Sequence, residues 1–297
     1  MDELDWSTQY TPDEWRSLRE HYDRIMGPDQ LDELFPFVPF MHEHRADTLK
    51  RYRLHVDVAT RGVGLANRLT NPPVASLVAG HYYTTLPYPH GIVADLFVAK
   101  RVGGRRQEVA DILGLAWLHS GMHGMNTASR VCQPLMDQWD PDVDDGPGIP
   151  WPDGWTVDPD AFRCGIDFTH TGDADEISDA DLAKIEDWHR RVQGEVPAYV
   201  RFFASNYPLA LKAFRARYET ATQGTLPKQY IALCHLHLAA AWMCPEAVRR
   251  GVHMARYFGV ERDHVVQILA FSQLYLGDIG IDTAVLAAAD ALEGWSA

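Results

Sequence analysis

Cysteine is scarce in this chain and poorly spaced for redox or zinc chemistry. The four thiols, Cys132, Cys164, Cys234 and Cys244, include no Cys-x-x-Cys pair, which excludes a four-cysteine zinc ribbon. A single helix carrying both Cys234 and Cys244 would hold them about 15 Å apart. A disulfide needs Cα atoms within about 7 Å, so that helix could not form one. Long apolar runs are also missing: no stretch approaches the roughly 20 residues needed to cross a bilayer. Basic residues are the minority, with 27 Lys and Arg against 41 Asp and Glu and a formal charge of -14. A broad phosphate-tracking face for nucleic acid, or for an anionic membrane surface, is therefore not expected. A small acidic substrate stays open, because local charge can oppose the total. Met1 to Asp5 is acidic and lacks the basic and apolar regions of a secretory leader, so the cytoplasm is the expected location.

What the chain does contain is a globular composition and an internal echo. Of its 297 residues, 46% are hydrophobic and 23% charged, the mix of a soluble domain with a sizeable core. Sliding the sequence by 156 residues lays 72–128 over 228–284 without gaps, and 14 of 57 positions are identical. They include His81 over His237, Pro89 over Pro245, Gly103 over Gly259, and Gly121 and Gly124 over Gly277 and Gly280. A weaker echo precedes each copy, with Leu49-Lys50-Arg51-Tyr52-Arg53 resembling Leu211-Lys212-Ala213-Phe214-Arg215. A fixed-period self-match of this kind signals a duplicated unit. The expected organisation is an N-terminal helical repeat (1–131, core 72–128), a connecting segment (132–177) and a C-terminal repeat (178–297, core 228–284). The Pro/Gly/Asp/Trp-rich stretch from Trp139 to Thr171 reads as a long ordered crossing or lid outside the core. Its Asp140–Asp145 cluster does not fit a calcium loop and reads as a solvated turn.

Local pattern predicts helices throughout, and thus an all-α fold. Ser178 and Asp181 have the spacing of an acidic capping box. Apolar residues recur at helical spacing over Gln107–Ser120 and Asp263–Leu276. Pro89 and Pro245 suit a helix's first turn but not its interior, so each copy contains a broken helix that restarts at the proline and stops at Gly103 or Gly259. Tyr88 and Cys244 then fall at equivalent helix N-termini, each expected to face a cavity. A thiol there is drawn towards thiolate by the free N–H groups.

These residues carry a resemblance. Leu226-Pro227-Lys228-Gln229-Tyr230-Ile231, Trp242-Met243-Cys244-Pro245-Glu246 and Gly251 through Val260 resemble the carboxymuconolactone decarboxylase and alkylhydroperoxidase-D superfamily, over about two thirds of the chain. The resemblance implies an all-helical fold, often duplicated within a chain, a homo-oligomer, and no metal or organic cofactor in the decarboxylase branch. The peroxidase branch uses a Cys-x-x-Cys pair, a histidine four residues on and an earlier glutamate. Here the first cysteine falls on Cys244, the second on Ala247 and the histidine on Gly251. The Lys228–Leu233 stretch holds no carboxylate. In the first copy the same positions are Tyr88 and Asp95. Dithiol peroxide reduction needs a resolving cysteine, so that chemistry is not expected. Acid–base chemistry on a small organic acid or lactone is, with a non-catalytic binding oligomer of the same fold as the alternative and a His-ligated metal enzyme or peroxidase behind it.

Such chemistry needs groups that titrate near neutrality. The candidates are His81, Tyr88, His90, Asp95, His119 and His123 in the first copy, and His235, His237, Cys244, Glu246 and His253 in the second. Each has a plainer reading. His81 and His237 match by repeat and either hydrogen-bond the kink or serve the site. Cys244 is a catalytic thiol or an inert buried one. Glu246 complements the helix dipole or takes part in chemistry. His119 and His123 are four apart, which puts them on one helix face and suits a metal pair, but their repeat mates Tyr275 and Ile279 offer no second such site. The first copy, or a pocket shared between copies, is the expected working site for a small-molecule substrate.

Overall fold

The computed structural model describes residues 9–26, 30–69, 72–168 and 177–295. Met1 to Asp5 and the end of the connecting segment (169–176) lie outside the described residues. Among the described residues there are helices and no strand, and no helix is long and apolar enough to cross a membrane.

Three helices lead the chain: α1 (Pro12–Met26), α2 (Gln30–Leu34) and α3 (Phe37–Arg61). The first core set follows: α4 (Pro72–Thr85), α5 (Pro89–Leu96), α6 (Val98–Arg101) and α7 (Arg106–Asp137). After the short α8 (Pro141–Asp144) come α9 (Asp179–Gln193), α10 (Ala198–Asn206) and α11 (Pro208–Ala221). The second core set is α12 (Lys228–Ala241), α13 (Pro245–Tyr257) and α14 (Arg262–Leu292).

The two core sets start their helices 156 residues apart, at 72 and 228, 89 and 245, 106 and 262. Their unusual backbone positions coincide as well. Gly121 (φ 60°, ψ -161°) and Gly277 (φ 64°, ψ -164°) break the long helices α7 and α14. Pro87 and Met243, both with positive φ, lead into the prolines that open α5 and α13. Tyr88 and Cys244 are N-caps with matching extended backbones, φ -100° and -106°. The apolar periodicity that stops at Ser120 and Leu276 thus stops at the breaks. One difference separates the sets: the helix opened by Pro89 is interrupted at Phe97, whereas α13 runs on to Tyr257.

The halves meet through α4 and α12, where the Tyr230 hydroxyl donates to the Leu77 carbonyl at 2.8 Å. They also exchange support. Asp111 on α7 accepts from the backbone N–H and the hydroxyl of Thr225, each at 2.7 Å. Gln267, at the matching place on α14, accepts from the N–H of Leu69 at 2.7 Å. Each long helix therefore holds the entry to the other half's first helix. Both pairs satisfy loop N–H groups that would otherwise lack partners.

The connecting segment corrects the expectation of a lid outside the core. Trp139, Ile149 and Phe162 are buried in the main core. Polar ties fasten the backbone around them: Glu108 accepts from the Ile149 N–H, Glu219 from that of Cys164, and Gln229 from that of Thr156. Asp140 and Asp142 are exposed, as in the solvated turn expected, and the cluster is also tied to its neighbours. Asp140 caps α8, Asp144 pairs with Lys100 at 2.9 Å, and Asp145 accepts from both the Arg106 N–H and the Trp139 indole. The Ser178–Asp181 capping box forms as expected at the start of α9.

Candidate functional site

Two cavities flank the seam, and each is built from both halves. The first, about 190 Å³, takes Leu118 and His119 from α7, and its remaining walls from α9, the start of α10, α11, α12 and α13. The second, about 310 Å³, takes Phe271, Leu274 and Tyr275 from α14 and its remaining walls from the leading helices, α4, α5 and α6. Position by position they correspond: His119 and Tyr275, Ala239 and Tyr83, Gly251 and Asp95 occupy equivalent places. The walls of the first cavity include Ala247 and Gly251.

Histidine dominates the first cavity. His119 uses Nδ1 for a 3.0 Å hydrogen bond to Nε2 of His81, which is wholly buried behind it on α4. The bond shares one proton and leaves Nε2 of His119 as the nitrogen open to a ligand. His235 on α12 stacks edge-on at 4.5 Å between ring centroids. Burial keeps all three uncharged, helped by neighbouring histidines for His81 and His119 and by Arg250 for His235. It pushes His81 down to about 3 and His235 to about 4, and His119 well below the ordinary histidine value. Nε2 of His235 and the Tyr218 hydroxyl are buried without a protein partner among the described residues. Unsatisfied polar atoms on a cavity wall call for a polar occupant. Arg250 supplies the positive charge, with Glu195 2.9 Å away.

The other candidates are distributed as follows. Asp95 lies in the second cavity, hydrogen-bonded to Ser76, and burial raises its carboxyl to about 8. His237 is wholly buried and lines neither cavity. Ser272 spends its hydroxyl proton on the Ile268 carbonyl, so the 2.7 Å contact to His237 is an Nδ1–H donation to Ser272 Oγ. That bond ties α12 to α14. Tyr88 and Cys244 also line neither cavity, contrary to expectation. Tyr88 packs against Tyr83 and His90, and Cys244 is a half-buried free thiol. Glu246 is exposed, 3.8 Å from Arg249. His253 is exposed and lies against Gly194. His123 is exposed beyond the Gly121 break. That break removes the common helix face expected for His119 and His123. Among the described residues no group of three or more His, Cys, Asp or Glu could hold a metal ion.

Arg250, Tyr218 and Gln193 were not candidates from sequence. Arg250 stood one residue before Gly251, and Tyr218 one turn after Phe214 in the weaker echo. Those positions were the available signals. No family model matches this chain, and neither does any curated protein or solved structure.

Proposed function

We propose that the histidine cavity is an active site for acid–base chemistry on a small organic acid or lactone, giving a decarboxylase-like lyase or an isomerase. In this reading the chain is a diverged, internally duplicated relative of the carboxymuconolactone decarboxylase and alkylhydroperoxidase-D superfamily, acting in the cytoplasm. The observation that carries it is the His81–His119 hydrogen bond aimed at a cavity that also holds His235 and Arg250.

The roles follow from the chemistry of each group. Arg250 turns from Glu195 to the substrate carboxylate, since a guanidinium binds carboxylate in a two-pronged fork. His119 accepts a proton at Nε2, and its Nδ1–H donates to Nε2 of His81, which spreads the charge over both rings. The same proton passes back from His119 Nε2 to the product, which restores the neutral cluster, and His235 lines the wall beside it. Neutral imidazoles are the correct resting state for a base, and an anionic substrate raises their proton affinity when it binds. Imidazole and guanidinium supply acid, base and anion anchor, so the proposal calls on no metal or organic cofactor.

The test is a screen of lactone acids and β-oxo acids against wild type, His119→Asn and Arg250→Met. The expected result is turnover by wild type. His119→Asn should lower kcat by about 100-fold or more, and Arg250→Met should chiefly raise KM. A decline of kcat/KM at acid pH should set in below the ordinary histidine value of about 6.5, because burial holds the cluster uncharged. Turnover that survives His119→Asn unchanged would sink the assignment.

A further inference from the structure

The second cavity contains a buried cation without an internal counter-ion. Arg53 on α3 lines it and is 8% exposed. Its Nη1 donates to the Tyr22 hydroxyl at 2.5 Å, and the guanidinium lies 5.0 Å from the Tyr22 ring centre. Its Nε is buried with no partner, and no carboxylate among the described residues pairs with it. A guanidinium does not give up its proton to relieve burial. A buried charge left in this state costs several kcal/mol in general terms, so it is normally paired.

The second half shows what is missing. Arg215 occupies the matching place on α11, is likewise buried, and donates through Nε to Glu219 one turn later at 3.0 Å. It also donates to the Phe162 carbonyl. The residue matching Glu219 is Asp57, one methylene shorter. Asp57 lies on the cavity wall and pairs with Arg61 at 3.1 Å, not with Arg53. The other acid in the cavity, Asp95, is held protonated by burial and is thus a neutral hydrogen-bond donor and not a counter-ion. The remaining walls are largely aromatic, with Phe37, Tyr52, Tyr83 and Tyr275 among them.

We infer that this cavity is a binding site for a small aromatic carboxylate, whose anion takes the unpartnered edge of Arg53 and whose ring lies among the aromatic walls. The volume of about 310 Å³ is at the small end of ligand pockets. The site is separate from the histidine cavity, and the inference stands whether or not that cavity is catalytic.

The experiment titrates the full chain with benzoate, followed by calorimetry. Benzyl alcohol and inorganic phosphate are the comparators. Benzoate should bind saturably, and both comparators at least about tenfold more weakly, which is about 1.4 kcal/mol. Arg53→Met should weaken benzoate by tenfold or more. Asp57→Glu guards against a folding failure, because it restores the side-chain length that pairs Arg215 in the second half. It should raise the Tm of the ligand-free protein and weaken benzoate binding together. Absence of benzoate binding to wild type overturns the inference. So does phosphate or benzyl alcohol binding as tightly, or undiminished affinity in folded Arg53→Met or in Asp57→Glu.

Discussion

Burial acts in opposite directions on the bases and the acid near the seam, and the stability of the fold should record both. His81 and His237 are pushed down to about 3 and His235 to about 4. In the unfolded chain each takes up a proton near 6.5. Their contribution is therefore complete above that value and is lost as pH falls through the window down to about 3. Asp95 has the reverse sign. Its folded value of about 8 lies above the unfolded 3.8, so its contribution is complete below 3.8 and is lost as pH rises through to about 8. Urea midpoints measured from pH 4 to 9 should fall at both ends. His237→Gln should flatten the acid limb and Asp95→Asn the alkaline limb. An alkaline limb unchanged in Asp95→Asn would contradict the buried neutral acid.

At the level of elements, the long helices are shaped by glycines that do different work. Gly121 and Gly277 adopt backbones that other residues rarely tolerate. Gly124 instead allows close approach: a Cβ there would lie 2.2 Å from the Thr84 carbonyl oxygen, between α7 and α4. Gly124→Ala should cost about 1–3 kcal/mol of unfolding free energy, as overpacking does, read from denaturant curves. A cost near zero would mean the two helices separate freely. These features were legible because they are local. Prolines, glycines and the Ser178–Asp181 box announce helix ends through the backbone alone. The His81–His119 bond was not legible, since it joins residues 38 apart on different helices. Nor was the burial of Trp139 and Phe162, whose loop composition says nothing of what they pack against. The interruption at Phe97 has no proline or glycine to signal it.

At the scale of the whole molecule, the all-α fold expected from helical spacing is present among the described residues. Both cavities lie across the seam, because α7 and α14 each reach into the other half. The same molecule leaves apolar side chains uncovered. Trp242 and Met243, at the turn between α12 and α13, and Ile279 and Leu286 on α14 are all exposed. Met243 stands beside Gly280, its Sδ 3.6 Å from where a Cβ would be, so turn and helix form one surface. Apolar exposure of this kind favours association, and the proposal is a homo-oligomer that covers it. Light scattering should give a multiple of the 33.5 kDa chain, reduced to a single chain by Ile279→Asp with Leu286→Asp. A wild-type monomer at micromolar concentration would count against it. The crossing of the long helices also constrains how such a chain can drift. A change at His119 is judged by the ring of His235, and one at Tyr83 by Tyr275. Neither half can change its cavity-lining side chains alone, so mutations accepted in one will be conditioned by partners more than a hundred positions away.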